Sequence, residues 1–291
     1  MAMTQWDEAT FETYRPLLFS VAYRMLGSAS EAEDVVQDAW LRARQDEHAD
    51  IRSPRAYLTT IVTRLCIDHL RSAARTRMEY PGPWLPEPLA EPNQESAELA
   101  SSVTTAFLVL LERLAPTERA VFLLREVFEL DFVEIAKSIG KSEANTRQIL
   151  TRARGRLRDS RPRFTVSPRE SEDIVRRFRH ASVTGNLDQL MAVLHADATL
   201  VADGGGKASA ATRPVLGADR IAKFLFGYAG KAHWSESDFQ LVTINGAPGL
   251  LMRHPLAGDG AYSFDIVNGR IRTIYVVRNP NKLRGFLART H

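Results

Sequence analysis

Apolar residues recur at helical spacing through the first eighty positions. Leu17, Val21 and Met25, with Leu18, Ala22 and Leu26 beside them, form one wide stripe, and Gly27 and Ser28 end that helix. Ser30 followed by Glu33 reads as a capping box, so a second helix is expected from about Glu31, with Val35, Val36, Ala39, Trp40 and Ala43 on its apolar side. A third runs from Pro54, a residue tolerated in a first helical turn, to about Arg77. Periodicity then stops. The stretch YPGPWLPEPLAEPNQES places five of the fourteen prolines between residues 81 and 92, which makes an extended, semi-rigid linker. Helical spacing returns at about 96 and continues to about 159, and RPRFTVSPRES is a second, shorter break.

Beyond residue 170 the texture changes. One amphipathic helix over 171–182 precedes short β-rich runs, ATLVA, FQLVTI and GLLMR. In AYSFDIVNGRIRTIYVV, Asn268-Gly269 is a strong type I′ hairpin turn. A two-residue loop pairs Ile266 with Ile271, Phe264 with Thr273 and Tyr262 with Tyr275, and sets Asp265 opposite Arg272. The expected fold class is multidomain: two all-α helical domains, then an α+β domain of a helix or two packed on a curved antiparallel sheet. The domains read as 1–80, a linker over 81–98, 99–162, and 168–291.

A chain of 291 residues has room for about two domains at roughly 100–200 residues each. Apolar content of 44% and charged content of 25% fit a soluble globular protein. The single cysteine, Cys66, lies among apolar residues at helical spacing, reads as a core thiol, and fits a reducing cytoplasm. The acidic N-terminus lacks a signal-peptide core, and no apolar run approaches the ~18 residues of a membrane span, so the expected location is cytoplasmic, with no membrane partner. Net charge is only +3, but its distribution is uneven. Residues 142–163 hold seven arginines, including Arg161 and Arg163, against Glu143 and Asp159, whereas residues 81–101 hold four glutamates and no lysine or arginine. A basic block at one site suggests an anionic partner met locally.

The basic block sits in LDFVEIAKSIGKSEANTRQILTRARGRL. Phe132, Ile135, Ala136 and Ile139 repeat at helical spacing, Gly140 supplies the turn, and Ser142 is a suitable N-cap. Thr146, Ile149, Leu150 and Ala153 give the second helix an inward side, leaving Ser142, Glu143, Asn145, Arg147, Gln148 and Arg152 outward. This is a helix-turn-helix pattern. Asn, Gln and Arg can bond base edges, and the later arginines suit phosphates. The plain alternative is a helical hairpin with a solvated basic face. Two further stripes carry less information. Glu31, Asp34 and Asp38 share one helix face, which reads as a solvated face or as a contact for a basic protein partner. Arg64, Asp68, Arg71, Arg75 and Arg77 line another helix, with Arg55 and Tyr57 near its start, and basic groups with an aromatic suit exposed bases.

The order of these pieces resembles a known family. EAEDVVQDAWLRA, SPRAYLTTIVTRLCIDHLR, a linker and LAPTERAVFLLREVFELDFVEIAKSIGKSEANTRQILTRARGRLR look like regions 2 and 4 of an extracytoplasmic-function sigma factor over about residues 10–160. The resemblance implies RNA polymerase core and promoter DNA as partners. It implies that Glu31, Asp34 and Asp38 dock on the clamp helices of the β′ subunit. It implies that the loop and helix at about 45–77, with Arg55, Tyr57, Arg64, Asp68 and Arg71, open and read the −10 element. The outward residues of the 142–157 helix would read the −35 element.

The C-terminal segment holds the pentapeptide D-G-G-G-K, Asp203 to Lys207. A phosphate-binding loop needs G-x-x-x-x-G-K-[ST] between a strand and a helix, and here the spacing differs and no Ser or Thr follows the lysine. His195, His233 and His254 could do acid–base work with Asp203 but share no metal-ligand spacing, and no cofactor, metal or catalytic residue is expected. The segment resembles the SnoaL-like domain, a cone-shaped fold with an interior pocket whose small-molecule ligand, if any, is unidentified. Together the halves resemble the sigma-factor subgroup with a fused SnoaL-like extension. W-L-P-E-P (Trp84, Leu85, Pro86 and on to Pro88), D-G-G-G-K (Asp203, Gly204, Gly205, Gly206, Lys207) and N-P-N-K-L (Asn279, Pro280, Asn281, Lys282, Leu283) carry that match. The resemblance implies a regulatory extension in place of a separate anti-sigma protein. A glycine-rich loop allows close backbone approach, so the loop is expected to dock on the linker, with Lys207 meeting Glu87 or Glu91. The rivals are a conventional repressor or activator and a DNA-binding module fused to a small-molecule-binding or enzymatic domain.

Overall fold

The computed structural model describes residues 8–45, 53–90, 103–158, 167–232, 234–235 and 238–290. The loop at 46–52, Glu91, Asp159, Arg161, Arg163 and His233, and the side chains of Arg75 and Arg77, lie outside the described residues. The chain divides into two compact units, Met1–Met78 with Leu110–Arg161, and Glu79–Val109 with Pro162–His291.

The first unit is helical: α1 (Glu8–Leu26), α2 (Ala29–Gln45), α3 (Pro54–Met78), and, beyond α4 (Thr105–Leu111), α5 (Pro116–Glu126), α6 (Phe132–Ile139) and α7 (Glu143–Leu157). The apolar stripe of α1 is buried at Leu18, Val21, Met25 and Leu26, as are Val36 and Ala39 of α2 and Leu58 and Val62 of α3. Cys66 is buried there too, and that burial pushes its thiol pKa up, the state of an inert core residue. One expectation is corrected. The cap of α2 is Ser28, whose hydroxyl accepts the Glu31 amide at 3.2 Å, and the helix starts two residues before Glu31. Ser28 wins because Gly27, at φ +70°, ends α1 immediately before it.

The helix-turn-helix forms as its sequence dictates. Gly140 takes the left-handed conformation (φ 64°) after α6, and the Ser142 hydroxyl accepts the Asn145 amide at 3.2 Å to open α7. Thr146, Ile149, Leu150 and Ala153 face inward.

The second unit packs α8 (Pro168–Thr184), α9 (Leu187–Val193) and α10 (Ala218–Ala232) against a six-stranded sheet in the order β2-β1-β6-β5-β4-β3. The strands are β1 (Leu194–Asp203), β2 (Val215–Leu216), β3 (Phe239–Ile244), β4 (Ala247–Met252), β5 (Gly260–Val267) and β6 (Arg270–Val277), followed by α11 (Pro280–Arg289). Neighbours run antiparallel except β1 and β6, which are parallel. Two hairpins turn on Asn-Gly pairs with positive φ, the expected Asn268-Gly269 and also Asn245-Gly246.

The β5–β6 register departs from the expected one. Ile266 pairs with Ile271 as the turn requires, but a bulge follows, and Asp265 pairs with Thr273, Phe264 with Ile274, and Tyr262 with Val276. Without the bulge, Thr273 and Tyr275 would share a face with Ile271. With Arg272 as the extra residue, Ile271, Ile274 and Val276 all enter the core under the helices, and Tyr275 and Val277 enter a second cluster on the opposite face. Burying apolar side chains on both faces outweighs one irregular step in the ladder.

Candidate functional site

One densely bonded polar group of the second unit is the side chain of Asp203, at the end of β1, with 0% of its surface exposed. Its Oδ1 accepts the Tyr80 hydroxyl at 2.6 Å, and its Oδ2 accepts the Leu85 amide at 2.9 Å and the Lys282 ammonium at 2.7 Å. Lys282, 8% exposed, also donates to the Leu85 carbonyl and lies 4.0 Å from the centre of the Trp84 ring and 5.1 Å from that of Tyr80. A buried ion pair survives only when its remaining donors and acceptors are satisfied, and here the linker backbone supplies those partners. Burial, and then the bond to Asp203, push the Tyr80 pKa up, so the phenol stays a donor. Its oxygen in turn accepts from Asn279 Nδ2 at 2.8 Å.

Four residues of N-P-N-K-L have separate physical tasks. Asn279 caps α11 by accepting the Asn281 amide at 3.1 Å, Pro280 opens the helix, Lys282 enters the ion pair, and Leu283 joins an apolar cluster. That cluster contains Leu85, Ala90, Tyr275, Val277, Leu283 and Phe286. Leu85 is 1% exposed, and burying a side chain of that size is worth about 2 kcal/mol. Pro86 and Pro88 are also buried. Farther along, the Leu89 amide donates to Asn245 Oδ1 and its carbonyl accepts the Asn245 amide, both at 2.9 Å, while Asn245 Nδ2 donates to Thr105 at 3.0 Å. The linker from Tyr80 to Ala90 is therefore held at two points on the sheet face opposite α8–α10, beside α11.

Close approach explains the glycines. Gly205 stands at φ +57°, and a Cβ there would lie 2.1 Å from Asn279 Nδ2 and 2.9 Å from the Tyr80 hydroxyl. Gly206, at φ +69°, would meet Pro81 at 2.9 Å, and Gly204 would meet the Ala208 carbonyl at 2.3 Å. The expected partner of the linker needs correction. Lys207 is exposed and makes no ion pair among the described residues, and the lysine that enters is Lys282. The turn that brings Gly205 under the linker carries Lys207, whose amide bonds Gly204 O at 2.9 Å, out to solvent. His195 and His254 do not reach Asp203, for each accepts nearby backbone amides on its Nδ1 instead. Tyr80, Asn245 and Thr105 escaped the sequence reading. Asn245-Gly246 was visible as a turn signal, but nothing local marked Tyr80, which meets Asp203 across 123 positions.

In the helical unit, Asp34 and Asp38 are exposed on α2, and Glu31 turns toward α3, 3.3 Å from His69. On α3, Arg55, Asp68 and Arg71 are exposed, the last two 3.6 Å apart, and Tyr57 is half-buried. Arg64 is engaged: Nε donates to Ser138 O at 2.9 Å and Nη2 to Lys137 O at 2.8 Å, on the carbonyl end of α6, where the helix carries partial negative charge. The Thr60 and Ser138 hydroxyls are 2.8 Å apart. On α7, Ser142, Glu143, Arg147, Gln148 and Arg152 are exposed and Asn145 is half-buried. Arg147 pairs with Glu143 and lies 4.1 Å above the Phe132 ring, which fixes its direction. Among the described residues no helix is long and apolar enough to cross a membrane, and no cluster of His, Cys, Asp and Glu could hold a metal ion.

Comparison with known proteins gives these surfaces a context. Residues 10–76 match the family model of Sigma-70 region 2, and residues 104–157 that of Sigma-70, region 4. The chain is 36% identical over 295 positions to the ECF RNA polymerase sigma factor SigJ of Mycobacterium tuberculosis, covering 96% of this chain and 94% of that one. It is 33% identical over 294 positions to the probable ECF RNA polymerase sigma factor SigI of the same organism, covering 97% of each. The crystal structure of M. tuberculosis SigJ matches with a TM-score of 0.79 and 32% identity over 96% of this chain and 99% of that one.

Proposed function

The chain belongs to the extracytoplasmic-function sigma factors of RNA polymerase, and on that premise we propose that its C-terminal domain tunes promoter output by holding the inter-region linker in the Asp203–Lys282 clamp. As a sigma factor it directs core polymerase to promoters. Asp34 and Asp38, with Glu31 beside them, meet the clamp helices of the β′ subunit; two exposed carboxylates on one helix face suit a basic surface. Arg55, Tyr57, Arg64, Asp68 and Arg71 serve the −10 element. Ser142, Glu143, Asn145, Arg147, Gln148 and Arg152 serve the −35 element, with the N-terminal end of α7 toward base edges and Arg152 toward phosphate. The protein acts in the cytoplasm, performs no catalysis, and carries its restraint within the chain instead of on a separate anti-sigma protein.

The observation that supports regulation most strongly is that Tyr80 and Leu85, both in the segment joining the two DNA-reading regions, spend polar groups on Asp203. A linker so held fixes the reach between those regions. Run-off transcription with core polymerase, comparing the full chain with Asp203→Asn and Lys282→Met, tests this. Altered output with unchanged core binding is expected, and identical output from all three proteins rejects the regulatory role.

A further inference from the structure

The arginines of α7 are held in different ways. Arg154 and Arg156 reach back to α5, where they pair with Glu126 at 2.6 Å and Glu118 at 2.7 Å. Arg152 is exposed and makes no ion pair among the described residues. Arg147 is held near the start of the helix, yet its side chain keeps 59% of its surface exposed. Its Nη2 donates to Glu143 Oε1 at 2.5 Å, and its Cζ lies 4.1 Å from the centre of the Phe132 ring. That ring is itself fixed. Phe132 opens α6, where the Asp131 carboxylate accepts the Glu134 amide at 2.7 Å. Arg125, 5.0 Å from the same ring, donates to the Leu130 carbonyl at 2.9 Å. By spacing alone Phe132 reads as a core position like Ile135 and Ala136. Those two are buried, whereas Phe132 is only half-buried and its ring meets two arginines.

We infer that Phe132 is a positioning residue for promoter specificity: with Glu143 it holds Arg147 in the direction that reads a guanine of the −35 element. The inference rests on the reading of α7 as the −35 helix. A guanidinium carries five N–H donors in a rigid fork, and Glu143 takes one, which leaves enough for guanine O6 and N7 together. An arginine held against a ring and a carboxylate has already given up much of its rotamer freedom, so less is lost when it meets a base. Two restraints on one planar group fix its orientation as well as its place. Bidentate contact with a base edge demands that orientation. Arg152 lacks such restraints and suits a phosphate, which fixes register without reading sequence.

The test uses the full chain assembled with core polymerase and a pool of duplexes randomised through both promoter elements, sequenced after binding. Arg147→Ala should abolish a preference for guanine at one −35 position. Phe132→Met keeps apolar bulk but removes the ring. It should lower that same preference about threefold, the size of an exposed cation–π contact, and leave the other positions and the salt slope unchanged. Phe132→Tyr, which keeps a ring, should restore the preference. Full preference in Phe132→Met, or a Phe132→Tyr protein that behaves like Phe132→Met, overturns the positioning role. An equal loss at every position overturns it too, and marks a merely structural residue. A base other than guanine at the position read by Arg147 overturns the assignment of the base. Failure of the −35 reading looks different, for then Arg147→Ala and Gln148→Ala both leave every base preference intact, and the positioning role falls with it. Where Phe132→Met does not fold, Glu143→Gln removes the other restraint and gives the same readout, and an unchanged preference overturns the shared hold on Arg147.

Discussion

Lys282 Nζ lies 2.7 Å from Asp203 Oδ2, with both side chains buried, and the two residues are 79 positions apart in the C-terminal domain. Removing either one leaves a buried charge without its partner. Lys282→Met should destabilise the C-terminal domain by about 3–5 kcal/mol, read as a lower urea midpoint by intrinsic tryptophan fluorescence. The double variant Asp203→Asn with Lys282→Met should recover part of that loss, because neither charge remains. Additive losses in the double-mutant cycle would mean that the pair does not interact.

Gly205 is the residue over which the linker closes. Gly205→Val places a branched side chain at φ +57° and onto Asn279 and Tyr80. The expected result is a linker released from the domain, faster proteolysis between residues 79 and 90, and altered promoter output. Unchanged output in run-off transcription would count against linker docking as a regulatory contact.

The contact of α3 with α6 occupies Arg64, a candidate reader of the −10 element. Ser138→Ala removes the hydroxyl bonded to Thr60 without touching any candidate DNA contact, and should weaken the contact by about 1 kcal/mol. Where Arg64 must leave α6 to reach DNA, open complexes should form about fivefold faster, since 1 kcal/mol corresponds to roughly that factor. Stopped-flow fluorescence on a labelled promoter reads this directly.

On α7, side chains near the N-terminus and farther along should fail differently. Gln148→Ala should relax sequence preference at one base position, whereas Arg152→Ala should weaken binding to every sequence and lower the salt slope by about 1. Titrations of −35 duplexes at several salt concentrations distinguish the two.

Burial holds the Asp265 carboxyl above its ordinary value of 3.8, with Arg272 opposing that shift. The folded state thus prefers the protonated acid. Its favourable contribution is complete below the unfolded value and is lost as pH rises through the folded one, so the ionised group is a cost at neutral pH. Asp265→Asn should raise the melting temperature by a few degrees at pH about 7, with the advantage shrinking as pH falls toward about 4. A gain that grows on acidification would reverse the sign and refute the account.

The sequence by itself determined most of what depends on neighbours within a few positions, although the cap of α2 fell at Ser28 and not at Ser30. The turn at Gly140, the cap at Ser142, the inward side of α7 and the Asn268-Gly269 hairpin follow from local backbone preference and periodicity, and the structure reproduces them. The three short motifs held several of the residues that meet, Leu85, Asp203, Asn279 and Lys282 among them. Which atoms meet was decided only by tertiary structure. Lys207 and Lys282 are equal in chemistry, but one is carried outward by its turn and the other inward by the first turn of α11, 79 positions from Asp203. Tyr80 belongs to no motif and gains its role from folding back across 123 positions. The register of β6 followed the local turn for one pair and then yielded to a bulge that lets both sheet faces bury apolar side chains. Local preference is worth tenths of a kcal/mol per residue and burial several times more, so wherever the two disagreed the packed sheet prevailed.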